Sequence, residues 1–316
     1  MKKSVRVLIL TFLLTILFGC TGEQSREKII IATTPWLGYY PLYYAEEIRL
    51  DEQLGIDLHI IESLSSNDFR RSIVKNHIDG FAASIQGLTQ INQILSMPVE
   101  LTLFTNFSNG GDVIVSKKSI ANLQALKGRR LGFQRNEISH FVAMSALNWA
   151  GMNISDVQHV ETKPLEVHEM FERNDLDAFV TYPPISLTLL EDDNLHTIFS
   201  SKVIPNRIVD CLVMKGDRTG KKSAAIRALW EAVIKQIKQE PAAYLRFLAE
   251  QLGTSIPDAE INSQGIQLLN WKEQSYMFES PEKIKDLLLT ACEVNEMKAS
   301  ACIRDLQLIR FGKVEK

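Results

Sequence analysis

Apolar positions along this chain fall into short runs separated by longer stretches of mixed character, the rhythm of strands alternating with helices. Ile29 to Ala32 predicts a buried first strand, Ile56 to Ile61 a second, Phe81 to Ala83 a third and Val99 to Phe104 a fourth. Helices are predicted between them. One covers Leu42 to Leu50 behind Pro41, one runs from Asp68 to about Lys75 behind the cap candidates Ser65, Ser66 and Asn67, and one covers Leu88 to Leu95.

The pattern then starts again. Arg130 to Phe133, Val157 to Val160 and Ala178 to Val180 read as strands, with helices over Ser139 to Ala150, closed by Gly151, and Val167 to Glu172. The punctuation also repeats. Asn76-His77-Ile78-Asp79-Gly80-Phe81 aligns with Asn174-Asp175-Leu176-Asp177-Ala178-Phe179. Each copy ends a helix in polar residues, passes an apolar residue and an aspartate, and enters a short apolar strand.

Val209 to Met214 follows as a further strand. Helices over Ser223 to Lys238, Pro241 to Leu252 and Pro281 to Cys292 complete the chain. Ile226, Leu229, Trp230, Val233 and Ile237 recur at helical spacing, which assigns them to packing, and the carboxyl-terminal third is expected to return to the first sheet and cover it.

The expected fold is therefore α/β with two lobes, each a mainly parallel sheet flanked by helices. Residues 29–112 and 212–316 form the first lobe and 113–211 the second, with crossovers near Asn109 to Val113 and Asn206 to Leu212. Two connections between two lobes make a hinge, and the cleft between them suits binding by enclosure.

The amino terminus changes the picture of location. Lys2, Lys3 and Arg6 precede the apolar run Val7 to Phe18, the order of a secretory signal. That run is shorter than the roughly 20 residues that span a bilayer. It ends in Leu17-Phe18-Gly19-Cys20, which resembles a bacterial lipobox, so residues 1–19 are expected to be a lipoprotein signal peptide and Cys20 the lipidated amino terminus. Residues 20–28 would be a polar tether. The protein would then be anchored to a membrane by lipid and face the outside of the cytoplasm.

The mature chain, roughly 295 residues, suffices for two ordinary lobes. A net charge of −3 with scattered basic residues recommends no nucleic-acid partner. Of the cysteines beyond Cys20, Cys292 and Cys302 are close enough to pair, which leaves Cys211 over.

Candidate chemistry gathers at predicted strand ends. Trp36, Tyr39 and Tyr182 lie on loops of opposite lobes, where they either sandwich a flat or cationic group, at roughly 0.5 to 2 kcal/mol per contact, or plug a lobe interior. Ser84, Ser108 and Ser139 either bind a ligand or cap helices. Glu137 and Ser139 open a predicted helix whose amino end attracts anions, with Arg135 either a counter-charge or a solvated loop cation. Asp112 and Asp210 stand at the two crossovers, where each either receives an amine or holds the hinge. Two acids, several rings and at most one cation favour a nitrogenous or zwitterionic small molecule over a bare inorganic anion. His140 and His168 read as surface or packing residues.

Several stretches together carry a family resemblance. They are Trp36-Leu37-Gly38-Tyr39-Tyr40-Pro41 with Ala45; Ser108-Asn109-Gly110-Gly111-Asp112; Lys127-Gly128-Arg129-Arg130-Leu131-Gly132; Ala150-Gly151-Met152; Thr181-Tyr182-Pro183-Pro184; and Ile208-Val209-Asp210. In order and spacing from about Lys28 to Leu252 the chain resembles the periplasmic solute-binding proteins of ABC importers for nitrate, taurine, aliphatic sulfonates and the pyrimidine precursor of thiamine. The resemblance implies the type II periplasmic binding fold, a monomeric capture subunit for a small-molecule ligand, a membrane permease as partner and no cofactor. The family often has Tyr-Glu-Pro where this chain has Tyr182-Pro183-Pro184, so a contact through that glutamate is missing here. Two rival readings stay open. One is a sensory subunit that docks on a membrane receptor. The other is a pyrimidine-forming enzyme of the kind found in one branch of the family, although the cysteine-rich motif of that branch is not visible here.

Overall fold

The computed structural model describes residues 26–63, 71–89, 99–135, 137–216, 220–294 and 309–311. In chain order its strands are β1 (Glu27–Thr33), β2 (Ile56–Glu62), β3 (Gly80–Ser84), β4 (Val99–Ser108), β5 (Val113–Lys117), β6 (Arg130–Phe133), β7 (Gln158–Glu161), β8 (Ala178–Thr181), β9 (Leu195–Ser200), β10 (Val209–Lys215), β11 (Ile266–Leu268) and β12 (Ile309–Phe311). They form two sheets. One runs β11-β4-β10-β3-β1-β2, with β12 also paired to β4; the other runs β7-β6-β8-β5-β9.

The two-lobe α/β plan is as expected, but both sheets are mixed rather than mainly parallel. β1 pairs parallel with β2 and β3, whereas β10 runs antiparallel to both β3 and β4. In the second sheet β6 pairs parallel with β7 and β8, whereas β5 runs antiparallel to β8 and β9. The cause is the chain path. β5 and β10 are the strands by which the chain enters each sheet after crossing from the other, so they run away from the crossing point while their neighbours run towards it. The carboxyl ends of β1, β3, β6 and β8 consequently all face the junction between the sheets, the side on which α/β sheets place ligands.

The repeated Asn…Asp punctuation has a structural basis. Asn76 and Asn174 both adopt positive φ, 58° and 59°, at helix ends, a conformation that asparagine tolerates better than most residues. The Asp79 carboxylate then accepts from Ile30 N at 2.9 Å, and the Asp177 carboxylate accepts from Arg130 N at 2.9 Å. Each aspartate thereby ties its own strand to the neighbouring parallel one. The Asp79 carbonyl accepts from Lys215 N, and the Asp177 carbonyl from Lys117 N, which joins the entering strand on the other side.

Apolar side chains cover both faces of each sheet. On one face of the larger sheet Ile29, Ile31 and Leu42 pack with Ile226, Leu229, Trp230 and Val233 of the helix Lys221–Gln239, as their spacing predicts. Trp230 also donates from Nε1 to the Leu269 carbonyl at 2.8 Å. On the other face Phe81, Phe104 and Ile73 pack with Met277, Phe278, Ile284 and Leu288 from the last two helices, Trp271–Phe278 and Pro281–Val294. The carboxyl-terminal third thus returns to the first sheet. Cys292 is disulfide-bonded and Cys211 is free and buried.

The signal segment, Cys20, most of the tether, Cys302, the first three residues of the helix predicted over Asp68 to Lys75 and most of the one predicted over Leu88 to Leu95 lie outside the described residues. Among the described residues no helix is long and apolar enough to cross a membrane.

Candidate functional site

β1 ends at Thr33, and the chain turns through Pro35 and Trp36 into a short 3-10 helix, Leu37–Tyr39, that feeds the helix Tyr40–Glu47. Pro41 sits in the first turn of that helix, where its missing N–H costs nothing. Trp36 donates from Nε1 to Asn106 Oδ1 at 3.2 Å, and the Asn106 amide in turn donates to Thr105 Oγ1 at 2.9 Å. Gly38 makes this approach possible: a Cβ there would lie 2.5 Å from Trp36 Nε1 and closer still to the Asn106 amide. Tyr39 donates to Asp210 Oδ1 at 3.0 Å.

These residues form one wall of a cavity of about 80 Å³ between the two sheets. At roughly 10–15 Å³ of such space per water-sized group, it holds a ligand core of about half a dozen heavy atoms. Trp36, Tyr39, Ser84, Asp112, Glu137, Ser139, Tyr182 and Asp210 all line it, so eight of the ten candidate residues come together. They arrive from both sides. Trp36 and Tyr39 follow β1 and Ser84 ends β3 of the larger sheet; Glu137, Ser139 and Tyr182 follow β6 and β8 of the smaller one; Asp112 belongs to the first crossing segment and Asp210 is the second residue of β10. Trp36 and Tyr182 meet across the gap edge to face.

Ser108 and Arg135 are not in the lining, and of its two alternatives Arg135 takes that of an exposed loop cation. Ser108 is fully buried, and its hydroxyl accepts from Asp112 N at 3.1 Å and bonds the Ser201 hydroxyl at 3.1 Å. It clamps the first crossing segment to the second. Ser201 completes the clamp by accepting from Gly110 N at 2.8 Å, while Ser201 N donates to the Asp112 carbonyl at 2.8 Å. Arg135 is exposed and points its guanidinium at His159, donating from Nε to Nδ1 at 3.2 Å.

The other two serines combine the alternatives left open above. Ser84 Oγ accepts from Gly87 N at 3.0 Å, so it caps a helical turn while lining the cavity. Ser139 Oγ accepts from Gln134 N at 3.1 Å and shapes the loop after β6. Glu137 occupies the cap position of the helix Ile138–Trp149 without a side-chain cap bond. His140 is buried and stacks on Phe133, and His168 bonds Thr188 at the surface, so neither reaches the cavity.

Several lining residues escaped sequence reasoning, among them Gln134, Thr162, Phe179 and Thr181. Each lies in or just beyond a strand of the second sheet, and that position is the only signal that marks them. No three His, Cys, Asp or Glu side chains among the described residues are grouped to hold a metal ion.

The electrostatics are acidic. Burial lifts the Asp112 carboxyl to about 6, opposed by a hydrogen bond from Ser108. Burial, with the negative charge of Asp112 nearby, lifts Asp210 to about 7 against the hydrogen bond from Tyr39. Burial first and the neighbouring acids second push the Tyr39 and Tyr182 hydroxyls well above their ordinary range, so both remain donors at neutral pH.

Known structures share this fold. The alkanesulfonate-binding protein of Xanthomonas axonopodis pv. citri, solved bound to MOPS, superposes with a TM-score of 0.73 over 91% of this chain and 99% of that one, at 13% identity. The periplasmic nitrate-binding protein of Synechocystis PCC 6803 superposes with a TM-score of 0.63 over 89% of each chain, also at 13% identity. At such identities the likeness shows a shared fold, the type II periplasmic binding fold. In sequence, a putative aliphatic sulfonates-binding protein of Escherichia coli (strain K12) is 29% identical over 73 residues, so the match spans 23% of each protein. The model of the NMT1-like family matches residues 22–239, more than half of the chain, and the protein is accordingly a member of the NMT1-like family.

Proposed function

We propose that this protein is the solute-capturing component of an ABC importer, held to a membrane through lipid on Cys20 and closing on a small nitrogen- or sulfonate-containing organic solute. The observation that carries this reading is the cavity itself: its walls come from two separate sheets joined by two crossing segments, and rings from both sheets touch over it. A ligand in that position gains contacts only when both sheets are near it, so binding and closure are one equilibrium. Family membership and the shared fold support the transport role.

Ligand that binds only the folded protein raises its melting temperature by mass action, by about 2.7 kcal/mol of stability at a hundred times Kd. A thermal-shift screen over small amines, pyrimidines, taurine and alkanesulfonates therefore tests capture, and a protein unmoved by every solute would overturn it. The anchor has its own test. Cys20→Ser should release the protein from membranes, and unchanged membrane association would remove the lipid from the proposal.

A further inference from the structure

We propose that the cavity selects a small organic cation, an ammonium or a protonated nitrogen heterocycle, held between the Asp112 and Asp210 carboxylates and the rings of Trp36 and Tyr182. This inference rests on the capture reading and narrows it to one charge class.

Three carboxylates line the cavity, Asp112, Asp210 and Glu137, and no Lys, Arg or His is among the described lining residues. Asp112 and Asp210 are each only 4% exposed, and neither has an ion-pair partner among the described residues. A carboxylate taken out of water without a counter-charge is costly, and a cation placed between the two offsets that cost for both. An anion would meet the opposite situation. The nearby helix amino terminus that would attract one has Glu137 at its cap, and Arg135, the closest sequence candidate for a counter-charge, stands outside against His159.

The remaining walls suit the same ligand. Trp36 and Tyr182 present aromatic surface beside the acids, and ring faces attract cations, most strongly when both are desolvated. Ser84 and Thr181 add hydroxyls that can orient a ligand's polar end.

The proton equilibria point the same way. The groups facing Asp210 are Asp112, Tyr39, Trp36 and Asn106, with Cys211 beside it in sequence. Tyr182 sees Asp112, Glu137, Asp210 and Glu62. None of these neighbours is basic, so among the described residues no side chain supplies the two aspartates with positive charge, and a cationic solute would supply it. Cation binding should favour their ionised forms and release protons.

The test is calorimetric titration of the whole protein near neutral pH with probes of matched shape: choline, ethanolamine and aminopyridinium as cations, dimethylbutanol as the neutral isostere of choline, and isethionate as an anion. At least one cation should bind, at least about tenfold more tightly than the neutral isostere, with no heat from isethionate. Asp112→Asn and Asp210→Asn should each weaken that cation by about tenfold or more without lowering the melting temperature. Binding of isethionate or dimethylbutanol in preference to every cation would overturn cation selection and leave capture standing. Cation affinity unchanged in both variants would also overturn it. Silence from the whole panel would count against capture itself and take this inference with it. Because the comparison among probes needs only the wild-type protein, it decides the matter even if a variant fails to fold.

Discussion

Trp36 and Tyr182, 146 residues apart in sequence and attached to different sheets, meet with ring centroids 5.6 Å apart and planes at 84°. An edge-to-face pair of this kind contributes roughly 0.5–1.5 kcal/mol beyond its area. It is part of what brings the two sheets together. Tyr182 is half-buried and follows the last residue of β8, so removing its ring leaves the packing of the second sheet largely untouched. Tyr182→Ala should weaken solute binding by about tenfold with little change in melting temperature. Calorimetry with a bound solute and a thermal scan measure the two effects separately, and unchanged affinity would remove the ring from the site.

Gly38 gives a sharper test of how Trp36 is held. An added methyl at residue 38 meets both the indole nitrogen and the Asn106 amide, and neither can retreat freely because Asn106 is buried in β4 and also bonds Thr105. Gly38→Ala should displace Trp36, destabilise the protein by about 1–3 kcal/mol and weaken binding together with stability. Tryptophan fluorescence reports the displacement, chemical denaturation the stability and calorimetry the binding. A variant with native stability and affinity would show that the loop adapts without cost.

The clamp between the crossing segments should set how easily the sheets move apart. Ser201 serves Gly110 N and the Ser108 hydroxyl at once, from a fully buried position. Ser201→Ala leaves the Gly110 N–H without its acceptor, at a cost of roughly 1–3 kcal/mol. The radius of gyration from solution scattering should rise in the variant, because the two segments lose a shared bond. An unchanged radius and an unchanged response to solute would assign Ser201 to local folding alone.

Acidity should also appear in stability. Asp112 and Asp210 hold their protons to about pH 6 and 7 in the folded protein, against an ordinary aspartate value of 3.8. Between about pH 4 and pH 7 the folded state therefore binds more protons than the unfolded chain, so stability falls as pH rises through that window. The two titrate as an interacting pair, and the loss should be spread over the whole interval. Melting temperatures recorded across it should decline, and Asp210→Asn should flatten the profile. A profile that rises between these limits in the wild type, with the same slope in the variant, would contradict the burial of uncompensated acids.

Most strands between residue 29 and residue 215 were legible because each is decided locally, by apolar period, proline and cap residues, whereas the strand Val113–Lys117 and the helix Ile185–Leu190 were not predicted. The Asn…Asp repeat was legible for the same reason, since it records a positive φ and a carboxylate that bonds the adjacent strand. The strand Leu195–Ser200 left no comparable trace. It is an edge strand whose buried residues, Leu195 and Phe199, are separated by half-exposed and exposed ones, so no apolar run marks it.

For the site, sequence by itself determined which side chains stand at strand ends, and eight of its ten candidates line one cavity. It could not decide direction. Arg135 and Glu137 are two residues apart in one loop, yet one turns out to His159 and the other in to the cavity. Ser108 and Ser84 end β4 and β3, the two strands that flank β10 in one sheet, yet one locks the crossing and the other faces the solute space. Strand direction was likewise beyond reach, because β5 and β10 owe their antiparallel sense to where the chain re-enters each sheet. Local composition specifies what a residue can do, whereas the partner it meets depends on contacts between segments a hundred or more residues apart, and only the folded chain brings those together.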